Sequence, residues 1–265
     1  MTSVRLVSGL YCEKGEVRKG RNESMGKKYG KPPIVEALCE FHFEPDAVWD
    51  LVMPGLAYEE LRSHFPKREP WRVLDVEGRD IGFPYSDAIR FLREDEKAAI
   101  LVGASVLSVS HLKPYPTWEE FLPMIKQGFD AYRKVVGPKS LRSVDLRYIN
   151  EMEVWGGFEN LQSYFNLRPF VGMSLPRETD TFIAGIQIPY AESRDILKVE
   201  IRGSGSEENG PIRATLDLDY VLLEPEKIEL ESIFDWVEVA HGNVEEAFEA
   251  CLTESLKQTF EEMEK

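Results

Sequence analysis

The stretch that decides the fold is Ile34–Phe43, which has the sequence IVEALCEFHF. One set of alternate positions holds small or apolar side chains: Val35, Ala37, Cys39, Phe41 and Phe43. The other set includes Glu36, Glu40 and His42. Successive side chains of a β-strand point to opposite faces, so this period of two predicts a half-buried strand.

Further elements follow the same logic on both sides of that strand. Apolar patterns predict helices over residues 47–65 and 117–136, and a helical region from Pro225 onward. Strands are predicted at residues 71–76, 88–93, 98–112, 144–154, 182–188, 196–202 and 212–223. A short helix is expected at 158–165. The sequence therefore predicts an α+β fold.

The predicted elements occur in a repeating order. Residues 32–137 and residues 138–265 each follow strand, helix, three strands, helix, and the boundary lies near Gly137. Two topologically similar halves of this kind would form one antiparallel sheet covered by helices. The alternative is a single α+β domain in which the order coincides by chance.

Two helix starts carry the pattern of a capping box. Thr117 with Glu120, and Asn243 with Glu246, each have a capping residue followed three positions later by an acid. Removing the Thr117 hydroxyl is therefore expected to cost ~1 kcal/mol. The second box predicts a break between two helices at His241 and Gly242.

Charge is unevenly distributed along the chain. The 265 residues carry a formal charge of −15. Residues 1–31 hold eight basic and three acidic residues, a net +5 that leaves −20 for the remainder. Residues 224–265 hold thirteen acidic and three basic residues, a net −10. The first segment is interpreted as a flexible basic arm, and the acidic body disfavours binding to nucleic acid or anionic membranes except through that arm.

Cysteines and the N-terminus indicate the compartment. Cys12, Cys39 and Cys251 are isolated, which is typical of a reducing environment. Residues 1–31 contain no secretory signal, and no apolar run has the ~18 residues of a membrane span. A cytoplasmic protein is expected. Either translation starts at Met25 or the first 24 residues are a genuine disordered arm.

Polar side chains of the two predicted halves form a candidate cleft between them. Six residues belong to this hypothesis: Glu36, Glu40, His42, Arg142, Arg147 and Asn150. Carboxylates near a histidine can position a proton, and arginine can bind a phosphate or carboxylate. The competing interpretation is a solvated sheet face, with Asn150 in a buried polar network on the apolar side of its strand.

Other candidate sites are weaker. Asp217 and Asp219 share a strand face and could bind Mg²⁺, although Arg213 offers an ordinary ion-pair partner. The sequence has no G-x-S-x-G, P-loop or G-x-G-x-x-G motif. It therefore predicts no cofactor and no metal.

The opening segment Lys31–Phe43, with its proline pair and the Val35-Glu36-Ala37 strand, resembles a family of uncharacterised prokaryotic proteins. Similar stretches lie at 146–150 and 235–248, and the resemblance spans residues 27–262. Members of this family usually begin just before the motif. The resemblance implies no activity and no catalytic residues. The sporadic distribution of the family among prokaryotes suggests a defence (for example CRISPR-associated) or mobile-element setting.

Two function classes follow from these observations. The first is a non-enzymatic protein-interaction or regulatory module. It would use acidic helix residues such as Glu245, Glu249 and Glu254 to bind a protein partner, and a basic partner would bind such a surface best. The alternative is a small-ligand-binding protein or enzyme with a Glu/His/Arg cleft between the halves. A third, weaker option is nucleic-acid contact through the arm.

Overall fold

The structure is a computed structural model that describes residues 29–45, 49–50, 52–71, 88–169, 181–205 and 210–260. The predicted arm, apart from residues 29–31, and most of the predicted strand at 71–76 lie outside these residues. The described residues form nine β-strands and four α-helices. The strands are β1 (Ile34–Phe43), β2 (Lys67–Pro70), β3 (Ile89–Leu92), β4 (Ala98–Val102), β5 (Val106–Leu112), β6 (Leu141–Val154), β7 (Thr181–Tyr190), β8 (Asp195–Gly205) and β9 (Ile212–Leu222). The helices are α1 (Met53–Leu61), α2 (Trp118–Val136), α3 (Ile233–Cys251) and α4 (Glu254–Lys257).

All nine strands belong to one antiparallel sheet, which confirms the predicted α+β class. Its order is β2-β3-β4-β5-β1-β6-β9-β8-β7. The strand predicted over 34–43 is confirmed as β1, and it lies at the centre, paired with β5 on one side and β6 on the other. Short 3₁₀ turns connect several elements, including Phe158–Ser163, where the sequence pattern predicts a short helix.

The two faces of the sheet differ in what covers them. Helices α1, α2 and α3 pack on the face that carries Ala37, Cys39 and Phe41, and together they form one core. The Phe129 ring of α2 lies 5.0 Å from that of Phe41 and 5.2 Å from that of Phe234 in α3. We call this side the helix-covered face. The opposite side, which carries Glu36, Glu40 and His42, is called the open face.

The predicted strand over 98–112 is wrong in one respect, because the chain turns inside it. Residues 103–105 separate β4 from β5, which pair as a hairpin with Val102 opposite Leu107. The Gly103 amide donates to the Val106 carbonyl, and a Cβ at Gly103 would lie 2.9 Å from Val106 Cγ1. The run of small and apolar residues continues through this turn, so the pattern predicted one strand instead of two. Short strand β2 was likewise not predicted.

The predicted break at His241 and Gly242 is also wrong. Helix α3 runs without interruption from Ile233 to Cys251. The Asn243 side chain does not cap a helix; its Nδ2 donates to Tyr220 Oη at 3.0 Å. The Asn243 side chain therefore makes a tertiary hydrogen bond, and not the hydrogen bond to a helix backbone N–H that the capping pattern predicted.

Thr117 occupies the predicted cap position of α2, but its hydroxyl makes no capping hydrogen bond. Thr253, at the start of α4, accepts from the Leu256 amide at 3.4 Å and donates to the Ser163 carbonyl at 2.7 Å. We expect Thr117→Ala to cost less than ~0.5 kcal/mol and the matched variant Thr253→Ala to cost ~1 kcal/mol. Urea denaturation of both variants measures the difference. Equal losses would contradict this assignment.

The start of the described chain is attached to its end. The Tyr29 hydroxyl donates to Glu249 Oε1 at 2.6 Å, and its ring packs edge-on against Phe260. The Lys31 amide donates to the Phe260 carbonyl at 3.0 Å. Residues 29–31 are therefore part of the fold and not of a flexible arm. No helix in the described ranges is long and apolar enough to cross a membrane.

Candidate functional site

Four of the six predicted cleft residues lie together on the open face. Glu36, Glu40 and His42 project from β1, and Arg147 projects from β6, where it lies opposite Leu38. Arg142 is exposed at the β-bulge where the pairing of β1 with β6 shifts register. The register between β1 and β6 sets these positions, and the alternation within a single strand carries no information about that register.

Asn150 lies on the helix-covered face, away from the other five residues. Its side chain is 1% exposed, and its Nδ2 donates to the Leu216 carbonyl at 3.2 Å. Its Oδ1 has no hydrogen-bond partner among the described residues. Asn150 therefore belongs to the interior, as its position on the apolar side of β6 indicated.

Ion pairs connect neighbouring strands across the open face. Arg147 donates from Nε and Nη2 to the two carboxylate oxygens of Asp217 on β9, at 2.8 and 2.5 Å. Lys198 on β8 donates to Asp219 Oδ2 at 3.0 Å. The guanidinium that the sequence suggested as an anion-binding group is thus already paired within the sheet. The two carboxylates of the Mg²⁺ hypothesis, Asp217 and Asp219, are thus bound to Arg147 and Lys198, and no group of three His, Cys, Asp or Glu residues in the described chain is arranged to hold a metal.

A cluster of carboxylates lies beside these ion pairs. Burial, reinforced by the carboxylates of Asp219 and Glu40, raises the pKa of Asp145 to about 7, although Lys198 and Ser143 act in the opposite direction. His42 Nε2 is 3.8 Å from Asp145 Oδ2, and burial lowers the pKa of the imidazole. Burial also raises the pKa of Glu36. This part of the open face can take up a proton near neutral pH.

The three acidic residues proposed for partner binding all make contacts within the chain. Glu245 Oε1 lies 3.3 Å from His241 Nε2. Glu249 accepts from Tyr29 and pairs with Lys257 Nζ at 3.0 Å, and Glu254 pairs with the same Lys257 at 2.8 Å. These contacts hold the C-terminal helices in place, and the single Lys257 lies between two of the three carboxylates.

A polar cluster on the helix-covered face surrounds His241. Its ring stacks on that of Trp118 with a centroid distance of 3.9 Å, and its Nδ1 lies 3.2 Å from Tyr148 Oη. The Tyr148 hydroxyl is in turn 3.2 Å from that of Tyr115. Burial raises the pKa of both tyrosines. The ring nitrogens of His241 are thus engaged, one with Tyr148 and the other with Glu245, and the cluster joins α2, α3 and β6.

Sequence reasoning missed one buried carboxylate, Asp195. It is fully buried at the start of β8, where Arg194 donates to both of its oxygens, at 3.0 and 2.6 Å. Trp236 Nε1 donates to Oδ1 at 3.0 Å, and the Tyr220 hydroxyl donates to Oδ2 at 3.2 Å. The signal was present, because extending the alternation of Leu197 and Val199 back by one step puts Asp195 on the buried side.

The two buried cysteines show no sign of activation. Burial raises the pKa of the Cys251 thiol to about 11 and that of Cys39 well above its ordinary value. Thiolate is the nucleophilic form, so both side chains act as apolar core residues. Cys12 lies outside the described residues.

The two edges of the sheet differ in length and charge. At one edge, β2 has only four residues, with the sequence Lys-Arg-Glu-Pro. At the other, β7 has ten residues, TFIAGIQIPY, with no Asp, Glu, Lys or Arg. Charge, shortness and proline are the usual protections of a sheet edge, and β7 has one proline near its end and neither of the others.

Strand β7 is also the most exposed long strand of the sheet. None of its ten residues is buried, and Ile183 and Ile186 are 65% and 47% exposed. Among the described strands, only β8 pairs with it. No described strand pairs with its other edge, where the backbone N–H and C=O groups of an extended strand have the geometry that accepts another strand. We call this feature the β7 edge.

Sequence patterns predicted a strand at 182–188 but not its place in the sheet. An edge strand and an interior strand share the same alternation, so only the strand order identifies the β7 edge.

No model of a known protein family and no curated protein matches this chain.

Proposed function

We propose that this chain is a non-enzymatic protein-interaction module that binds an extended segment of a protein by strand addition at the β7 edge. The observation that carries the proposal is a ten-residue, uncharged and wholly unburied strand at one end of a nine-stranded sheet. Strand addition obtains affinity from backbone hydrogen bonds and specificity from alternate side chains.

The order of strands supports this proposal, if the chain consists of the two similar halves that its sequence suggests. From the central pair outward, β1 is followed by β5, β4 and β3, and β6 is followed by β9, β8 and β7. In this comparison β7 is the equivalent of β3. The outer edge of β3 is covered by β2, and no described strand covers that of β7. The halves are not identical, because a 3₁₀ turn at Phe158–Ser163 stands where α1 follows β1.

The open face offers less support for the alternative, a small-ligand site or enzyme. Arg147 already donates two hydrogen bonds to Asp217, and Lys198 is bound to Asp219. Asn150, the sixth residue of the predicted cleft, lies on the other side of the sheet. A regulatory role in a prokaryotic defence or mobile-element setting rests on the family resemblance and stays a prediction, as does a cytoplasmic location.

A peptide with the sequence of residues 181–190 tests strand addition directly. We expect the fluorescently labelled peptide, extended by solubilising lysines, to bind the full chain saturably, because it can pair antiparallel with the β7 edge. Fluorescence anisotropy measures the binding. The matched control is a scrambled peptide with the same lysines. Equal binding of both peptides, or binding of neither by a chain that is monomeric, would contradict the proposal.

A further inference from the structure

We infer that the segment bound at the β7 edge is the β7 strand of a second copy of this chain, so that two copies form one continuous sheet. This inference rests on the proposed function, since it names the occupant of the same edge. The charge of the chain, the composition of β7 and the symmetry of an antiparallel strand pair all favour this occupant.

Repulsion between like charges restricts the surfaces through which two copies of an acidic protein can associate. Each copy carries a formal charge of −15, which opposes association over most of the surface. Strand β7 brings no Asp, Glu, Lys or Arg to the contact. The charged residues next to it on the open face of β8, Lys198, Glu200 and Arg202, are of mixed sign. The β7 edge is therefore a place where like-charge repulsion between two copies is small.

The other sheet edge does not suit the same pairing. Strand β2 has four residues, and its charged side chains include Lys67, bonded to Glu96, and Glu69, paired with Arg90. Pro70 ends the strand and has no N–H to donate. Two copies joined through β7 would keep this protected edge at both outer ends, which limits the assembly to a closed dimer.

Symmetry restricts the register of the pair. Directly opposite residues of antiparallel strands point to the same face. On β7, Ile183 and Gln187 point to the open face, and Phe182, Ala184 and Ile186 point to the helix-covered face. A two-fold axis normal to the sheet keeps the helix-covered face of both copies on the same side. Residues that face each other must then lie on the same face of β7, so one residue of β7 lies directly opposite its own copy, with the axis midway between them.

We place the axis at Ile186. This register sets Ile186 opposite its own copy, Ala184 opposite Ile188, and Phe182 opposite Tyr190, so each of these pairs on the helix-covered face is apolar or aromatic. The pairing runs from Phe182 to Tyr190 on both copies, a length of roughly 30 Å. It covers Ile186, which is 47% exposed in the single chain.

A charge swap at Ile186 tests both the dimer and its register. Analytical ultracentrifugation of the full chain is expected to give a mass near twice 30.4 kDa. Ile186→Lys and Ile186→Glu place like charges opposite each other, and each should weaken the dimer by about 100-fold. An equal mixture of the two variants should dimerise again, since Lys then faces Glu. Val239→Lys, at a 54% exposed valine of α3, is the matched control and should remain dimeric.

A second variant covers the case in which the charged chains fail to fold. Ile186→Cys changes no charge, and mild oxidation should link two copies through this position, as seen on a non-reducing gel. The same treatment of Val239→Cys should give no such product. Circular dichroism of each variant confirms that it is folded.

The outcomes separate the two proposals. A dimer that Ile186→Lys disrupts and the mixture restores supports both. A chain that stays monomeric up to on the order of 100 μM, yet binds the 181–190 peptide, overturns the dimer and leaves strand addition in place. A monomer that does not bind the peptide overturns both. A dimer insensitive to both charged variants overturns the assignment to the β7 edge.

Discussion

Asp195→Ala is expected to lower the free energy of unfolding by about 3–5 kcal/mol, the largest loss we anticipate for a single substitution in this chain. The carboxylate is fully buried and accepts hydrogen bonds from three side chains, Arg194, Tyr220 and Trp236. Its removal leaves a partly buried guanidinium without its counter-charge and the indole N–H without an acceptor. Urea denaturation at neutral pH measures the loss.

Matched variants show whether the effect comes from this network. Asp195→Asn keeps the volume and one acceptor oxygen, so it should lose less than the alanine variant. Glu200→Ala, on the same strand, removes a partly exposed carboxylate 3.4 Å from Arg202 and should cost no more than ~1 kcal/mol. Trp236→Phe keeps most of the packing and removes one donor. A loss below ~1 kcal/mol for Asp195→Ala would show that the network does not stabilise the attachment of α3 to the sheet.

Asp145→Asn is expected to stabilise the protein at alkaline pH. The folded-state pKa of Asp145 is about 7, above its unfolded value, because the ionised form is buried beside Asp219 and Glu40. A pKa raised in the folded state adds stability at low pH, and that stability is lost as the pH rises through 7. At pH 8 the wild-type chain carries the full cost of the buried charge, on the order of 4 kcal/mol, and the asparagine variant does not.

The pH dependence distinguishes this effect from better packing. Between pH 8 and pH 5, the advantage of Asp145→Asn over wild type should shrink by about 2–3 kcal/mol, since wild-type Asp145 becomes protonated. Urea denaturation at both pH values measures the change. Glu151→Gln, at an exposed position of the same strand, should show no such dependence. An advantage that is equal at both pH values would argue against the raised pKa.

Several elements could be predicted from the sequence because their signal is local. The alternation of Ile34–Phe43 predicted β1 with its observed bounds, and the apolar stripe of residues 117–136 predicted α2. Gly137 ends that helix with a φ of 64°, the left-handed conformation that glycine adopts at little cost. Each of these features depends on residues that are close together in the sequence.

The errors share a different cause. Ala98–Leu112 consists mostly of small and apolar residues and was predicted as one strand, but it folds back at Gly103 into the paired strands β4 and β5. Asn243 has the sequence context of a cap, yet Tyr220, 23 positions away, binds its amide group. The hydroxyl of Thr117 has the context of a cap and makes no capping bond. In each case a tertiary contact, or its absence, decided between local alternatives.

The same distinction applies to the candidate site. Alternation alone put Glu36, Glu40 and His42 on one face of one strand, since a strand's period is an intrinsic property of its backbone. Which strands lie beside it depends on long-range hydrogen bonds, and those brought Asp145 and Arg147 next to β1. Strand composition was readable for β7, but its position at the end of the sheet was not. The sequence by itself determined the charge, most of the strands and which residues share a face of each strand. Only the tertiary structure decided the division of residues 98–112 into two strands, the partners of each strand and the position of the β7 edge, because strand order is set by contacts between residues far apart in the chain.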